Sequence, residues 1–341
     1  MTVLRLRGPA MAALATATFL VLAAGFFLLI GQPPVEMIVQ MARYAFGDGY
    51  SLSETLVKTT PILLCAIAVV LPARLGLISV GADGQLYFGA LVGTWVMLSF
   101  YEASGWFLMP AMLVAAAAGG ALWSAFPGWL RARLGVNETI STLLLNYIAV
   151  LLVNFAVYGA WKDPANLGWP ATRPFPEAAT VPSFFGTRVH LGLAIGLVAA
   201  IVLHVVVSRS RWGIALDVLR NNRKVGEGVG LGFGRNVLLV MAIGGALAGL
   251  AGICEASAIQ GRLQPGLSLG YGLTGFLVAW LSGHHFLRII PVSLLIGGLI
   301  AAGDALQLFA KVPASSAMVL QGLLFVAALA ISGLAGRRSD A

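Results

Sequence analysis

The feature that most limits what this chain can fold into is a series of about ten long apolar runs. A helix needs about 20 residues to cross a bilayer, and most of the runs approach or reach that length. They leave the 341-residue chain 59% hydrophobic and 10% charged, whereas roughly 25% of an ordinary soluble domain is charged. Because a soluble fold could not hide so much apolar surface, we predict an all-α integral membrane protein with about ten transmembrane helices. The predicted spans lie near residues 10–30, 59–73, 82–100, 106–126, 138–160, 190–208, 236–258, 268–283, 287–303 and 315–334.

The positive charges predict an orientation. Ten spans place both termini on one side, where fourteen of the 21 Lys and Arg residues fall, and seven fall on the other side. Lys and Arg accumulate on the cytoplasmic side, so residues 1–9 and 335–341 are predicted to be cytoplasmic. This bias explains the net charge of +8 without a nucleic-acid partner. The alternative for the first run, which follows Arg5 and Arg7, is a cleaved signal peptide, but the run lacks a small-x-small cleavage site.

Two connections between the runs are long. Residues 161–188 contain five prolines and are predicted to form an extracytoplasmic loop. Residues 209–235 carry six Lys or Arg against two acids and are predicted to form a cytoplasmic loop. We find no fixed-period repeat, and we expect residues 1–341 to form one transmembrane domain.

Several kinds of chemistry have no signature in this sequence. No Gly-Lys pair occurs, so there is no phosphate-binding P-loop. The four histidines lack metal-ligand spacing, and two separate cysteines, Cys65 and Cys254, predict neither a disulfide framework nor a metal site. We therefore expect no bound cofactor, and an intramembrane enzyme lacks a plausible nucleophile and base.

A glycine-rich break over residues 76–85 interrupts the apolar pattern and contains Ser79, Asp83 and Gln85. An acid within a membrane usually faces a cavity or a partner. Asp83 is therefore a candidate for lining a solute pathway. The other interpretation is a tight turn in which Ser79 or Asp83 caps the next helix, and the two interpretations are compatible.

A polar stripe follows in the fifth run, where Glu138, Thr142 and Asn146 recur every four residues and so share one helix face. Such a stripe in a membrane helix turns towards a neighbouring helix or a pathway. Interhelical hydrogen bonding is the favoured interpretation for Thr142, while Asn146 could serve either purpose. Asn137 is predicted to cap this helix.

The cytoplasmic loop contains an amphipathic pattern. If residues 214–230 were helical, one face would gather four aliphatic side chains, with basic residues around them. A basic helix on lipid headgroups and a helix that docks on a cytoplasmic partner both fit this pattern. The aliphatic residues are Ile214, Val218, Val225 and Val229.

Four segments resemble the permeases of ABC importers of the branched-chain amino acid and ribose type, and most closely the nucleoside or simple-sugar permeases of that group. Residues 76–85, with Gly-Ala-Asp-Gly-Gln at their end, resemble the motif Gly-x-x-Asn-Ile-Gly-Ala-Glu-Gly-Gln. Residues 135–147 resemble the next family segment, residues 219–230 the ATPase-coupling loop, and residues 270–275 a further signature. The sequence departs from the family pattern in having Ser79 for Asn and Asp83 for Glu, and in lacking a proline in the loop near residue 285.

The resemblance implies a type II ABC importer-like permease in the bacterial inner membrane, which imports a small neutral polar solute such as a nucleoside or simple sugar. It implies three protein partners: a cytoplasmic ABC ATPase that hydrolyses ATP, a second permease subunit and an extracytoplasmic solute-binding protein. Branched-chain amino acids or a vitamin-like solute are alternatives within this class, and an ion-coupled secondary transporter is the alternative outside it. The expected solute-pathway residues are Ser79, Asp83, Gln85, Thr142 and Asn146. The expected ATPase-coupling residues are Ile214, Val218, Arg220, Asn221, Asn222, Arg223, Val225 and Gly226.

Overall fold

The computed structural model describes residues 8–336 except residues 167, 185, 310, 311 and 314. This part of the chain contains thirteen α-helices. They are α1 Gly8–Leu29, α2 Pro34–Phe46, α3 Gly49–Ala73, α4 Ala82–Ser99, α5 Gly105–Leu134, α6 Glu138–Tyr158, α7 Leu191–Arg209, α8 Arg211–Asn221, α9 Arg223–Gly228, α10 Phe233–Cys254, α11 Tyr271–Leu281, α12 Ile289–Phe309 and α13 Ser315–Gly336.

Each predicted apolar run coincides with one helix, which confirms the all-helical membrane class. Among the described residues, six helices are long and apolar enough to cross a membrane on their own, and α1 and α2 form a further apolar pair bent by 116°. The count of ten spans and the orientation stay predictions. Of the charges used to predict the orientation, Arg5, Arg7, Lys311, Arg337 and Arg338 lie outside the described residues.

One compact unit comprises the described parts of residues 1–58 and 294–341. Its helix α2 was not predicted, because its 13 residues include Glu36 and Arg43 and form no long apolar run. The helix instead buries Met37, Met41 and Ala45, which share one face at a spacing of four residues.

The second unit, residues 59–293, is built around the close packing of α4, α5 and α10. Glycines make this packing possible, because the backbones of Gly120, Gly245 and Gly249 meet where α5 crosses α10. Gly89 of α4 lies against Gly249 in the same way. A Cβ atom at any of these positions would collide with backbone atoms of the neighbouring helix.

Part of the predicted outer loop, residues 161–188, contacts the segment that follows α10, through the backbone pairs Thr172–Leu263 and Phe175–Gly261. Helix α10 continues as a π-helix over Glu255–Gln260. Ser257 in that turn donates a hydrogen bond from Oγ to the carbonyl of Ala179 at 2.6 Å and accepts one from the N–H of Val181 at 3.0 Å. The loop is thus hydrogen-bonded to the π-helical turn through its backbone at Ala179 and Val181.

Replacing Gly245 with valine is expected to lower the free energy of unfolding by about 1–3 kcal/mol or more, because the added side chain overpacks the crossing of α5 and α10. The midpoint of thermal unfolding of the purified protein would measure the loss. Gly25→Val is the matched control, since a Cβ at Gly25 meets nothing within 4 Å. Equal midpoints for the two variants would contradict glycine-dependent packing.

Candidate solute pathway and coupling surface

The break between α3 and α4 is an irregular segment, residues 74–81, whose peptide groups are bound by side chains of α6. Asn146 donates a hydrogen bond from Nδ2 to the carbonyl of Val80 at 2.8 Å and accepts one from the N–H of Gly84 at 2.8 Å. Thr142 Oγ1 accepts a hydrogen bond from the N–H of Val80 at 3.2 Å. The polar stripe therefore replaces the hydrogen bonds that the broken helix has lost.

Glu138 extends this arrangement towards the end of the stripe. Its Oε1 accepts a hydrogen bond from the N–H of Ile78 at 3.2 Å, and its Oε2 lies 3.2 Å from Nε of Arg131. The predicted helix cap is confirmed, since Asn137 accepts hydrogen bonds from the N–H groups of residues 139 and 140. The Glu138 carboxylate is thus both buried and paired.

Asp83 caps a helix, but the helix is α11 and not α4, in whose first turn Asp83 lies. Its Oδ1 accepts hydrogen bonds from Ser268 Oγ at 2.8 Å and from the N–H of Gly272 at 2.9 Å. Its Oδ2 accepts one from the N–H of Leu273 at 3.2 Å. Gly270 precedes α11 with a φ of +83°, a conformation that glycine adopts without strain. The carboxylate therefore joins the N-terminal ends of two helices and complements the positive dipole of α11.

Ser79 and Gln85 are both buried within the second unit, 1% and 2% exposed respectively. Gln85 donates a hydrogen bond from Nε2 to Ser124 Oγ at 3.1 Å, while its Oε1 has no hydrogen-bond partner in the structure. Phe88, one helical turn further along α4, stacks on Trp123 with ring centroids 4.2 Å apart. The α4–α5 interface thus combines an aromatic stack with amide and hydroxyl groups.

Of the five predicted pathway residues, the structure joins Thr142 and Asn146 directly to the break and places Asp83 at its far end. Gln85 lies one turn into α4, and Ser79 lies within the break itself. We call these five residues the polar seam. Its acid, Asp83, is held by three uncharged donors, and Glu138, one turn before Thr142, is paired with Arg131.

Sequence reasoning missed Glu255, a third acid inside the predicted spans besides Asp83 and Glu138. The residue is 5% exposed and begins the π-helical turn that ends α10. Single π-turns are frequent at functional sites. The sequence feature that could have identified Glu255 is the presence of an acidic residue within the apolar run over residues 236–258.

The predicted cytoplasmic loop contains two helices, α8 and α9, so residues 214–230 are not one continuous helix. Helix α8 ends at Asn221, and Asn222 adopts an extended conformation with φ of −151° and ψ of 98°. The Asn222 side chain then caps α9 by accepting a hydrogen bond from the N–H of Val225 at 3.2 Å. Asparagine at this position therefore ends one helix and starts the next.

Aliphatic side chains of this loop are exposed in the second unit, as a docking surface requires. Ile214, Val225 and Val229 are 66%, 54% and 70% exposed. Val218 is partly exposed, and Asn221 is exposed. Gly226 is buried against the Leu219 side chain.

The two predicted coupling arginines have different surroundings. Arg223 pairs with Glu227 at 2.8 Å and lies over the ring of Phe233, 4.2 Å from its centroid, so it fastens α9 to the start of α10. Arg220 is exposed, and its side-chain stem packs beside Gly76 of the break. Burial, with a smaller contribution from Arg220, lowers the pKa of the neighbouring His284 from its ordinary value.

Helix α8 is anchored to two other elements. Arg74, in the break, contacts Asp217 of α8 at 3.1 Å. Trp212 donates a hydrogen bond from Nε1 to Oδ1 of Asn236, near the start of α10, at 2.9 Å. The predicted coupling loop is therefore attached to the segment that leads into the polar seam.

Comparison with known proteins identifies the chain. The family described as "Branched-chain amino acid transport system / permease component" matches residues 51–329. This chain belongs to that family. It is therefore a multi-pass membrane protein of the permease class.

Relatives extend over most of the chain. It is 31% identical to a glucose ABC transporter permease protein of Haloferax volcanii, over 93% of this chain and 87% of the relative. It is also 31% identical to a guanosine ABC transporter permease protein of Bacillus subtilis, over 83% and 82% of the two chains. A nucleoside ABC transporter permease protein of Lactococcus lactis subsp. cremoris is 27% identical, over 80% and 78%.

Asp83→Ala is expected to lower the free energy of unfolding by about 1–3 kcal/mol and to lower solute uptake, because three donors at the start of α11 lose their acceptor. Asp83→Asn keeps one acceptor oxygen, so its stability and its uptake should lie between those of the parent protein and those of Asp83→Ala. Thermal unfolding and uptake at matched expression would measure both effects. An alanine variant as stable as the parent protein would contradict the capping role.

Proposed function

We propose that this chain is the permease subunit of an ATP-driven ABC importer that carries a nucleoside or a simple sugar into the cytoplasm. The observation that carries the proposal is the family membership combined with the polar seam. Asp83 is held by internal donors and Glu138 is paired with Arg131, while the buried amide oxygen of Gln85 remains available to a hydrogen-bonding solute.

The chemistry of the relatives' solutes supports this choice. Two relatives that share 31% of their aligned residues with this chain are named for glucose and guanosine, which are neutral and rich in hydrogen-bonding groups. A path for such solutes needs hydrogen-bonding side chains and few fixed charges. Gln85 supports the proposal most directly, since its amide oxygen is buried without a partner.

The same proposal assigns three protein partners. A cytoplasmic ABC ATPase would dock on the exposed aliphatic surface of α8 and α9 and would hydrolyse the ATP, so this chain would need neither a nucleotide site nor another cofactor. A second permease subunit and an extracytoplasmic solute-binding protein would complete the importer. The proposed coupling role rests on Ile214, Val225 and Val229, which are exposed in the second unit.

The geometry also suggests how the ATPase would act on the seam. Movement of α8 would reach the break through two contacts, that of Asp217 with Arg74 and that of Arg220 with Gly76. The break is bound in turn to α6 through Thr142. Contiguous contacts of this kind can transmit a displacement between sites.

Uptake of a radiolabelled nucleoside by cells that express the complete importer tests the solute class. We expect competition by unlabelled nucleosides or by glucose, and none by leucine or isoleucine. Competition by the amino acids alone would overturn the proposed solute. Uptake that persists when the ATPase is inactive, but ends when the ion gradient collapses, would instead indicate a secondary transporter.

The double variant Ile214→Glu and Val225→Glu is expected to reduce co-purification of the ATPase, since carboxylates would have to be desolvated in an apolar contact. Trp169→Glu is the control, because Trp169 is 57% exposed and lies in the predicted outer loop. Membrane insertion of both variants should match that of the parent protein. Unchanged ATPase recovery from the double variant would refute the proposed docking surface.

A further inference from the structure

A cleft of about 790 Å³ lies where the end of α5 meets α9 and the start of α10. Its lining divides by chemistry into a charged end and an apolar end. The charged end contains Arg133, Arg223, Glu227 and Arg235, and the apolar end contains Trp129, Leu238 and Leu239.

The charged end has an excess of positive charge. Arg223 is paired with Glu227, whereas Arg133 and Arg235 have no acidic partner within the described residues. Both of these arginines are exposed. Helix α10 adds to the positive potential, because its N-terminus, next to Arg235, has no side-chain cap.

The apolar end continues along the outer face of α5. Leu122, Phe126, Trp129 and Arg133 follow one another at steps of four, three and four residues, so they lie on one side of the helix. The first three are 70%, 51% and 45% exposed. On α10, Leu239 is 40% exposed one turn after Arg235. Each helix therefore carries an unpaired arginine at its end and exposed apolar residues farther in.

We propose that this cleft binds an anionic phospholipid, with its phosphate headgroup on Arg133 and Arg235 and an acyl chain along Trp129 and Leu239. The planar guanidinium group suits phosphate because it can donate two parallel hydrogen bonds. Both α5 and α10 are long and apolar enough to span the membrane, so acyl chains are available to pack against their exposed faces.

An acidic protein segment fits the cleft less well, because it would satisfy the arginines but would have no use for the adjoining apolar stripe of Leu122, Phe126 and Trp129. The bound lipid would also touch α9, since Arg223 lines the cleft. Occupancy would therefore hold the proposed coupling loop against the start of α10.

Native mass spectrometry of the full-length protein, reconstituted with equal amounts of dioleoylphosphatidylglycerol and dioleoylphosphatidylcholine, tests the proposal. We expect retention of phosphatidylglycerol by the parent protein. The double variant Arg133→Gln and Arg235→Gln should lose roughly 25-fold in affinity, at about fivefold for each arginine near an anionic headgroup. Arg209→Gln with Arg211→Gln is the charge-matched control, since neither residue lines the cleft. Size-exclusion profiles would verify that both variants are folded.

The other outcomes each overturn the proposal. Equal losses in the two double variants would show non-specific attraction of lipid to a basic surface. Equal retention of phosphatidylcholine, whose phosphate is balanced by a choline cation, would show that the net negative charge of the lipid is not recognised. Displacement of the lipid by millimolar inorganic phosphate or glycerol phosphate would indicate a site for a free anion. Loss of ATPase binding with unchanged lipid retention would show that the two arginines bind the partner protein. ATPase docking is measured separately. Failure of the lipid site would therefore leave the proposed transport function standing.

Discussion

The hydrogen bonding of the break before α4 is the constraint on which the rest of the second unit depends. An interrupted helix leaves peptide groups without partners, and where these groups are buried, protein groups must replace the lost bonds. Asn146 and Thr142 of α6 bind the peptide groups around Val80, and Asp83 then binds the start of α11. Three helices are thus positioned by one irregular segment, and a change in its conformation must affect all three.

The movement of α8 that we propose for the ATP-driven cycle would reach the polar seam through this same segment. Its first residue, Arg74, is paired with Asp217, and Gly76 adopts a φ of +79° beside the stem of Arg220. Only a few residues separate these contacts from Val80, which is bound by α6. A short, extended connection with fixed contacts at both ends transmits displacement better than a flexible loop would, because little of the movement is lost in its own rearrangement.

The local features of this fold could be predicted from sequence, whereas the contacts between distant segments could not. Apolar runs identified the ten principal helices, and the position of Asn137 before Glu138 identified a helix cap. Asp83 was recognised as a possible cap, but its partner Ser268 is 185 residues away, and no local pattern reveals such a pairing. The aliphatic spacing continues across Asn222, so it does not reveal that residues 214–230 form two helices. The helices are separated by Asn222, whose backbone is extended and whose side chain caps α9.

The bound state of Asp83 also bears on the choice between an ATP-driven and an ion-coupled transporter. An acid that carries a coupling ion or proton must exchange its ligand during every cycle, so its oxygens must be free at some stage. The Asp83 carboxylate accepts three hydrogen bonds from Ser268 and from the first turn of α11. Releasing the two part-buried bonds, from Ser268 and Gly272, would cost up to about 1–3 kcal/mol for each donor left unpaired. A carboxylate with this structural role is poorly suited to ion coupling. This favours transport driven by ATP hydrolysis over transport driven by an ion gradient.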